Sequence, residues 1–285
     1  MNSRPELIAS CWTIGGDVYY GAPVETSPHD FRSRVEAASA AGYAGIGLFH
    51  ADIVADSARL GFPTMRHILS DNGMRHVELE IVGDWYTSGA RRERSDYVRR
   101  NLLNAAEQLR APCVKAFGDV TGADWPIDQL TADFRDLCDD AAGYGARVAL
   151  EYMPFTNIRT PEAALKIVED SGAANGGLTV DVWHTVRGGI NFDRVAKIAA
   201  DKIFIVEIDD ALAEPVGSLS DDTNNNRKLC GRGVFDIRGF LRAVERTGYR
   251  GPIGVEILSE EQRKRPLSEA ASLAFQTAVA EFAQA

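Results

Sequence analysis

Short apolar runs recur along the chain, and most are followed by a longer stretch with helical punctuation. Leu7-Ile8-Ala9-Ser10-Cys11-Trp12 reads as a first strand and Gly45-Ile46-Gly47-Leu48-Phe49 as a second. His76 to Ile81 alternates apolar and polar positions, which puts Glu78 and Glu80 on one face of a third strand. Cys113-Val114-Lys115-Ala116-Phe117 is a fourth, with a lysine inside an apolar run. Arg147 to Glu151, Leu178 to Asp181, Ile203 to Glu207 and Gly251 to Glu256 supply four more.

The helices between them are predicted from their ends. Ser27-Pro28-His29-Asp30 reads as a helix start, with Ser27 as N-cap and Pro28 in the first turn, and Gly42 as the stop. Thr160-Pro161-Glu162 repeats that grammar, and Gly172 closes it. Further helices are expected near 63–70, from a polar loop at 88–94 to Leu109, and over 128–142, 193–201, 235–247 and 267–282. Asp209 to Gly231 has no apolar period and is predicted as a long loop, a length uncommon unless functional or disordered. Eight strand–helix repeats predict an α/β fold, a (β/α)8 TIM barrel forming a single domain over 1–285.

Four consecutive strands end in one acid each: Glu151, Asp181, Glu207 and Glu256. A single acid after a strand is most often a helix cap or a solvated loop residue. Four in succession, on neighbouring strands of a barrel, would converge at the face where such barrels place their active sites. Converging carboxylates repel and are costly to desolvate, and a divalent cation relieves much of that cost. Oxygen-rich ligation suits Mn or Mg, and a nearby imidazole extends the choice to Zn or Co.

The stretch Leu178-Thr179-Val180-Asp181-Val182-Trp183-His184-Thr185-Val186-Arg187-Gly188-Gly189 is the densest of these endings. His184 reads as a ligand, a support for one, a substrate contact, or a plain structural histidine. Arg187 can hold an anionic or polyol substrate by its forked donors, or form a surface ion pair. Glu151 and Glu256, from strands three apart, can flank a metal-bound hydroxy-ketone as base and acid. Trp12, Phe49, Trp85, Tyr152 and Phe155 either wall the pocket or pack the core. His50, Lys115 and Arg227 are further candidates for polar substrate contacts.

Composition narrows the partners. The net charge of −10 disfavours a phosphate backbone as ligand. Cys11, Cys113, Cys138 and Cys230 form no CxxC pair, so reduced thiols in a cytoplasm are the simple expectation. Met1 to Glu6 lacks a basic-then-apolar signal pattern, and no apolar run approaches the roughly 20 residues of a membrane helix. A small molecule is therefore the expected partner, rather than nucleic acid or membrane; self-association is left open.

The order and spacing of VALEYMPF, DVWHTVRGG, VEIDDA, RKLCGRGVFDIRGFL and GPIGVEILSEE carry a family resemblance. The chain resembles the sugar phosphate isomerase/epimerase superfamily, the xylose isomerase-like barrels, over nearly its whole length. The resemblance implies that Glu151, Asp181 and Glu256 bind a divalent metal, and that Asp181 and His184 match the family's aspartate-x-x-histidine unit. Two departures stand out. Arg227 is followed by Cys230-Gly231-Arg232-Gly233, where relatives carry proline-glycine-x-glycine. Glu207 stands where relatives commonly have His or Gln, which makes it an extra ligand, a base, or a partner of Arg227.

The activity implied is a metal-dependent isomerase or epimerase of a sugar, cyclitol or related hydroxy-ketone. The rival on the same scaffold is a lyase or dehydratase of inosose, dehydroshikimate or C-glycoside type, and a further alternative is a non-catalytic, metal-free subunit. An endonuclease of this fold is disfavoured by the acidic charge and by only five histidines.

Overall fold

In the computed structural model, which describes residues 6–282, eight parallel strands close into a barrel in chain order. They are β1 (Leu7–Ala9), β2 (Gly45–Phe49), β3 (His76–Val82), β4 (Cys113–Phe117), β5 (Arg147–Glu151), β6 (Gly176–Asp181), β7 (Ile203–Ile208) and β8 (Ile253–Val255). Closure comes from Leu7, Ile8 and Ala9 pairing with Ile253, Gly254 and Val255. Helices cover the outside and bury their apolar stripes against the strands, as all-parallel sheets require.

The helix from Pro161 to Ser171 forms as its sequence predicts: Thr160 accepts from the Ala163 amide, and Gly172 takes φ 69° at the end. The helix Phe31–Ala41 is stopped at Gly42, but its cap is Asp30, whose carboxylate accepts from the Ser33 amide. Ser27 lies before it, its amide donating to Asp52. An aspartate three residues nearer the first apolar turn outcompetes the serine.

Other differences lie at the ends of the elements and in the stretches between them. β1 ends at Ala9, and Cys11–Ile14 turns helical instead of extending the strand. Thr13 holds that turn to β8, donating to the Val255 carbonyl at 2.6 Å and accepting from the Ile257 amide at 2.8 Å. A helix over His50–Leu60 follows β2 directly. The predicted polar loop at 88–94 is already helix, since Gly89–Leu109 is continuous. The expected helix over 193–201 resolves into Phe192–Val195 and a 3-10 turn at Ala200–Lys202. The long stretch after β7 contains the helix Leu219–Asn225, started by a reciprocal Ser218–Asp221 capping box.

No described helix is long and apolar enough to cross a membrane. The expectation for Met1 to Glu6 falls almost wholly outside the described residues.

Arg34 shows how the outer layer is fixed beside the barrel. It is 1% exposed, and its guanidinium pairs with Asp52 at 2.5 Å and Asp56 at 2.8 Å on the neighbouring helix. Arg34→Met leaves the buried Asp52 with no cation, only the Ser27 amide, and Asp56 with Arg59 alone; it is expected to lower the unfolding free energy by about 3 kcal/mol, read from urea unfolding. A loss below about 1 kcal/mol would mean the pair behaves as a surface ion pair.

Candidate active site

The barrel brings the strand-end acids together at one face. Glu151 ends β5 and Asp181 ends β6. In the β6–β7 register Asp181 stands opposite Glu207, and Glu207 in turn stands opposite Gly254 of β8. Glu256 is the first residue after Val255, its amide donating to the Ile208 carbonyl. Asp181 also caps the short helix Val182–Arg187, accepting from the His184 amide at 2.8 Å, which fixes where the imidazole starts. Glu80 of β3 and Asp209 just beyond β7 join the same cluster. All of these side chains are buried.

Two protein cations sit among the acids. The Lys115 ammonium lies 2.8 and 3.0 Å from the two oxygens of Glu207 and 3.1 Å from Glu256 Oε1. Glu80 and Glu151 are farther from it, at 3.5 and 3.9 Å. Arg227 Nη1 lies 2.8 Å from Asp181 Oδ2 and 3.0 Å from Glu256 Oε2, and it also pairs with Asp209. Glu256 is therefore held from both sides. Six buried acids (Glu80, Glu151, Asp181, Glu207, Asp209 and Glu256) face these two cations.

Above the cluster opens a cleft of about 640 Å³. Trp12, Tyr20, Phe117, Met153, Phe155 and Leu258 form apolar walls, and Glu80, Lys115, Glu151, His184, Arg227 and Glu256 reach it from below. Trp12 donates its indole N–H to Glu80 Oε2 at 3.1 Å, so the wall and the acid are tied together. Ser220, Thr223 and Asn224 of the helix Leu219–Asn225 complete the rim.

The remaining candidates are placed elsewhere. His50 stands beside Asn101 and edge-on to Tyr97, outside this cleft. Arg187 pairs with Asp222 at 2.9 Å and donates to the Ala213 carbonyl, tethering the segment after β7 rather than facing the cleft. Trp85 and Tyr152 are core residues, the first donating to the Phe117 carbonyl and the second bonded to Thr185. Phe49 packs on Trp12. Asp181 and Glu207 lie behind the cleft lining, and Glu207 pairs with Lys115, not with Arg227. Glu80 and Asp209 were absent from the sequence-derived site. Their signal was period two: Glu80 alternates with Glu78, and Asp209 is two residues past Glu207.

Burial and these neighbours set the charge states. Burial pushes the Glu151 carboxyl up to about 8, against the pull of the Lys115 ammonium. Burial also opposes ionisation of Glu256, but Lys115 and Arg227 together hold it below the ordinary carboxylate range. His184 is driven well below the usual imidazole range by burial and by Arg227, so its ring is neutral. Lys115 is held well above the usual range, its desolvation outweighed by the surrounding glutamates.

Two groups of three residues have ligand atoms within 4.8 Å of one another: Glu151, Asp181 and His184, and Glu80, Glu207 and Glu256. Both spacings can hold a metal ion, but they differ in what already fills them. In the first, Glu151 Oε1 is buried without a hydrogen-bond partner, 3.6 Å from His184 Nε2. An ion fits there, because it would satisfy the orphaned oxygen and offset the excess of buried acid. The second group already surrounds the Lys115 ammonium.

Comparisons with known proteins agree with this architecture. The sequence profile described as xylose isomerase-like TIM barrel matches residues 35–277. A 3-dehydroshikimate dehydratase of Pseudomonas aeruginosa is 31% identical over 247 residues, covering 82% of this chain and 37% of that protein. An inosose isomerase of Bacillus subtilis is 33% identical over 155 residues, 54% of this chain and 53% of that protein. The chain thus spans about half, or less, of the length of these two curated relatives. Among solved structures, an IOLI protein with a bound zinc atom superposes with a TM-score of 0.82 at 21% identity, covering 98% of both chains. A D-allulose 3-epimerase of Methylomonas sp. gives 0.71 at 19% identity, covering 99% of this chain and 96% of that one. At such identities the superpositions speak for the fold.

The raised Glu151 carboxyl has a measurable consequence. Folded, it keeps its proton up to about 8; an unfolded glutamate releases it near 4.5. Between those values the folded state holds more protons, so rising pH favours unfolding. In protein freed of divalent ions, native stability should fall relative to Glu151→Gln between about pH 5 and pH 8, by up to about 1.4 kcal/mol per pH unit. Parallel urea titrations of the two proteins across that range would expose an unshifted carboxyl as two superimposable curves.

Proposed function

The chain belongs to the xylose isomerase-like TIM barrel family, and from that premise we propose that it is an isomerase or epimerase of a cyclitol, sugar or related hydroxy-ketone. The observation that carries the reading is Glu151. It lines the cleft, and one of its oxygens is buried with no hydrogen-bond partner. With its proton lost above about pH 8, or drawn off by a cation bound beside it, that carboxylate can take a proton from a carbon beside a carbonyl. Glu256 reaches the same cleft from the far side of the barrel, kept ionised by Lys115 and Arg227. It serves as the second proton-transfer group. Neutral His184 lies against Glu151, with a ring nitrogen free to serve as a ligand.

The same reading assigns a divalent ion to Glu151, Asp181 and His184, with Mn or Mg favoured by the oxygen donors and Zn or Co served by the imidazole. Bound there, it would polarise the substrate carbonyl and acidify the adjacent C–H. The protein's own part is to position and to exclude water. Trp12 and Phe155 wall the reacting carbons, and Arg227 and Lys115 keep Glu256 fixed and charged. Residues 1–285 act as one catalytic domain in this proposal. The four described cysteines are buried and free, which suits a reducing cytoplasm.

A second reading is supported by the 31% identity to the dehydratase. The first proton transfer is the same, and a hydroxyl on the next carbon then leaves as water. The two readings separate on product mass.

The test is to incubate the protein with Mn²⁺ and a panel of inososes, ketohexoses and 3-dehydroshikimate in deuterated water. Isomerase or epimerase action appears as deuterium at one carbon with the skeleton retained; dehydratase action appears as loss of one water. Glu151→Gln should lower either rate by about 10²–10⁴-fold while leaving far-UV dichroism unchanged. A folded Glu151→Gln protein turning over at the native rate would remove Glu151 from the chemistry.

A further inference from the structure

Lys115 is the third residue of β4, and it is 1% exposed. Its ammonium stands where a cation bound by the Glu80–Glu207–Glu256 group would stand. Both Glu207 oxygens lie within 3.0 Å of it, and no other described cation pairs with Glu207. Two further features suit that pair. Glu207 has Gly254 as its β8 partner, and a Cβ at Gly254 would sit 2.8 Å from Glu207 Cγ. The bare backbone therefore clears the room in which the Glu207 side chain lies. Glu207 does not line the cleft, whereas Glu151 and Glu256 do.

We propose that Lys115 is a resident counter-cation occupying the Glu80–Glu207–Glu256 group, that Glu207 is its partner and not a metal ligand, and that removing the ammonium converts this group into a divalent-cation site. Three carboxylates this close cannot all stay ionised without a positive charge among them. The lysine supplies that charge from within the chain. It thereby confines any external ion to the Glu151 side of the cluster. The same strand-end geometry then carries a lysine ammonium within one group, while in the other Arg227 reaches Asp181 and His184 and Glu151 keeps one oxygen without a partner. The inference rests on the proposed function only for the identity of the Glu151 side as the place where an ion would bind.

The experiment measures Mn²⁺ binding to the full chain by calorimetry and by elemental analysis after gel filtration. Four proteins are compared: native, Lys115→Met, Glu207→Gln and the double variant. Lys115→Met should gain one Mn²⁺ per chain, with affinity at least about tenfold above any second binding in the native protein. Glu207→Gln alone should keep the native stoichiometry, and the double variant should lose the gained ion. If Lys115→Met unfolds without metal, recovery of its far-UV signal on adding Mn²⁺ supports the proposal, and no recovery overturns it. A Glu207→Gln protein that loses an ion the native chain binds, or a folded Lys115→Met protein that gains none, also overturns it. The two readings fail separately. A native chain that binds no Mn²⁺ beside a Lys115→Met chain that does would end the metal assignment to Glu151, Asp181 and His184 while leaving this inference standing.

Discussion

Everything at the catalytic face depends on how six buried carboxylates are kept from repelling one another. They come from β3 and β5–β8 or the residues just beyond, and the barrel's closure places them together whether or not their charges agree. Lys115 and Arg227 answer most of that conflict. Lys115 joins Glu207 to Glu256, and Arg227 joins Asp181, Asp209 and Glu256. Glu256 is common to both, so the two cations act as one bridge across the barrel mouth. Pairs of this kind are weak sources of stability but strong constraints on geometry, because breaking one leaves a bare buried charge.

That constraint explains why Glu151 differs from its neighbours. Glu256 has a cation on each oxygen, and Asp181 has a guanidinium on one and a backbone amide on the other. Glu151 keeps one oxygen without a partner, and its nearest cation is 3.9 Å away. Glu80 and Glu256 also reach the cleft, but of the three Glu151 is the one that keeps a buried oxygen without a partner.

The rim follows from the same arrangement. Arg227 belongs to the segment that joins β7 to the helix Ile237–Thr247 and turns its side chain inward, fully buried. Thr223 of the helix Leu219–Asn225 accepts from its guanidinium at 2.9 Å, and Arg187 fixes that helix from the side through Asp222. A segment that reads as featureless polar loop is thus anchored through the helix Leu219–Asn225 to two arginines. Ser220, Thr223 and Asn224 face the cleft and much of the rest faces solvent, so the segment has no apolar period.

The sequence alone determined the architecture. The eight apolar runs, the glycine stops at Gly42 and Gly172 and the Thr160-Pro161 start are local signals; each run yields a strand, though the first ends at Ala9 where Trp12 was expected, and the stops and the start appear where they were read. It also determined that Glu151, Asp181, Glu207 and Glu256 meet, since position at a strand end becomes proximity once the barrel closes. What the sequence left undecided was which acid meets which cation. Lys115 stood in the pattern as a lone polar residue in a strand, and Arg227 as a loop arginine. His50 and Arg187 carried as much local promise as either, yet they turn to Asn101 and Asp222. Pairing is a matter of side-chain reach across strands distant in the chain; Lys115 and Glu256 are 141 residues apart. Only the tertiary structure decided it, because the energy of a buried charge depends on what surrounds it in space and hardly at all on its neighbours in sequence.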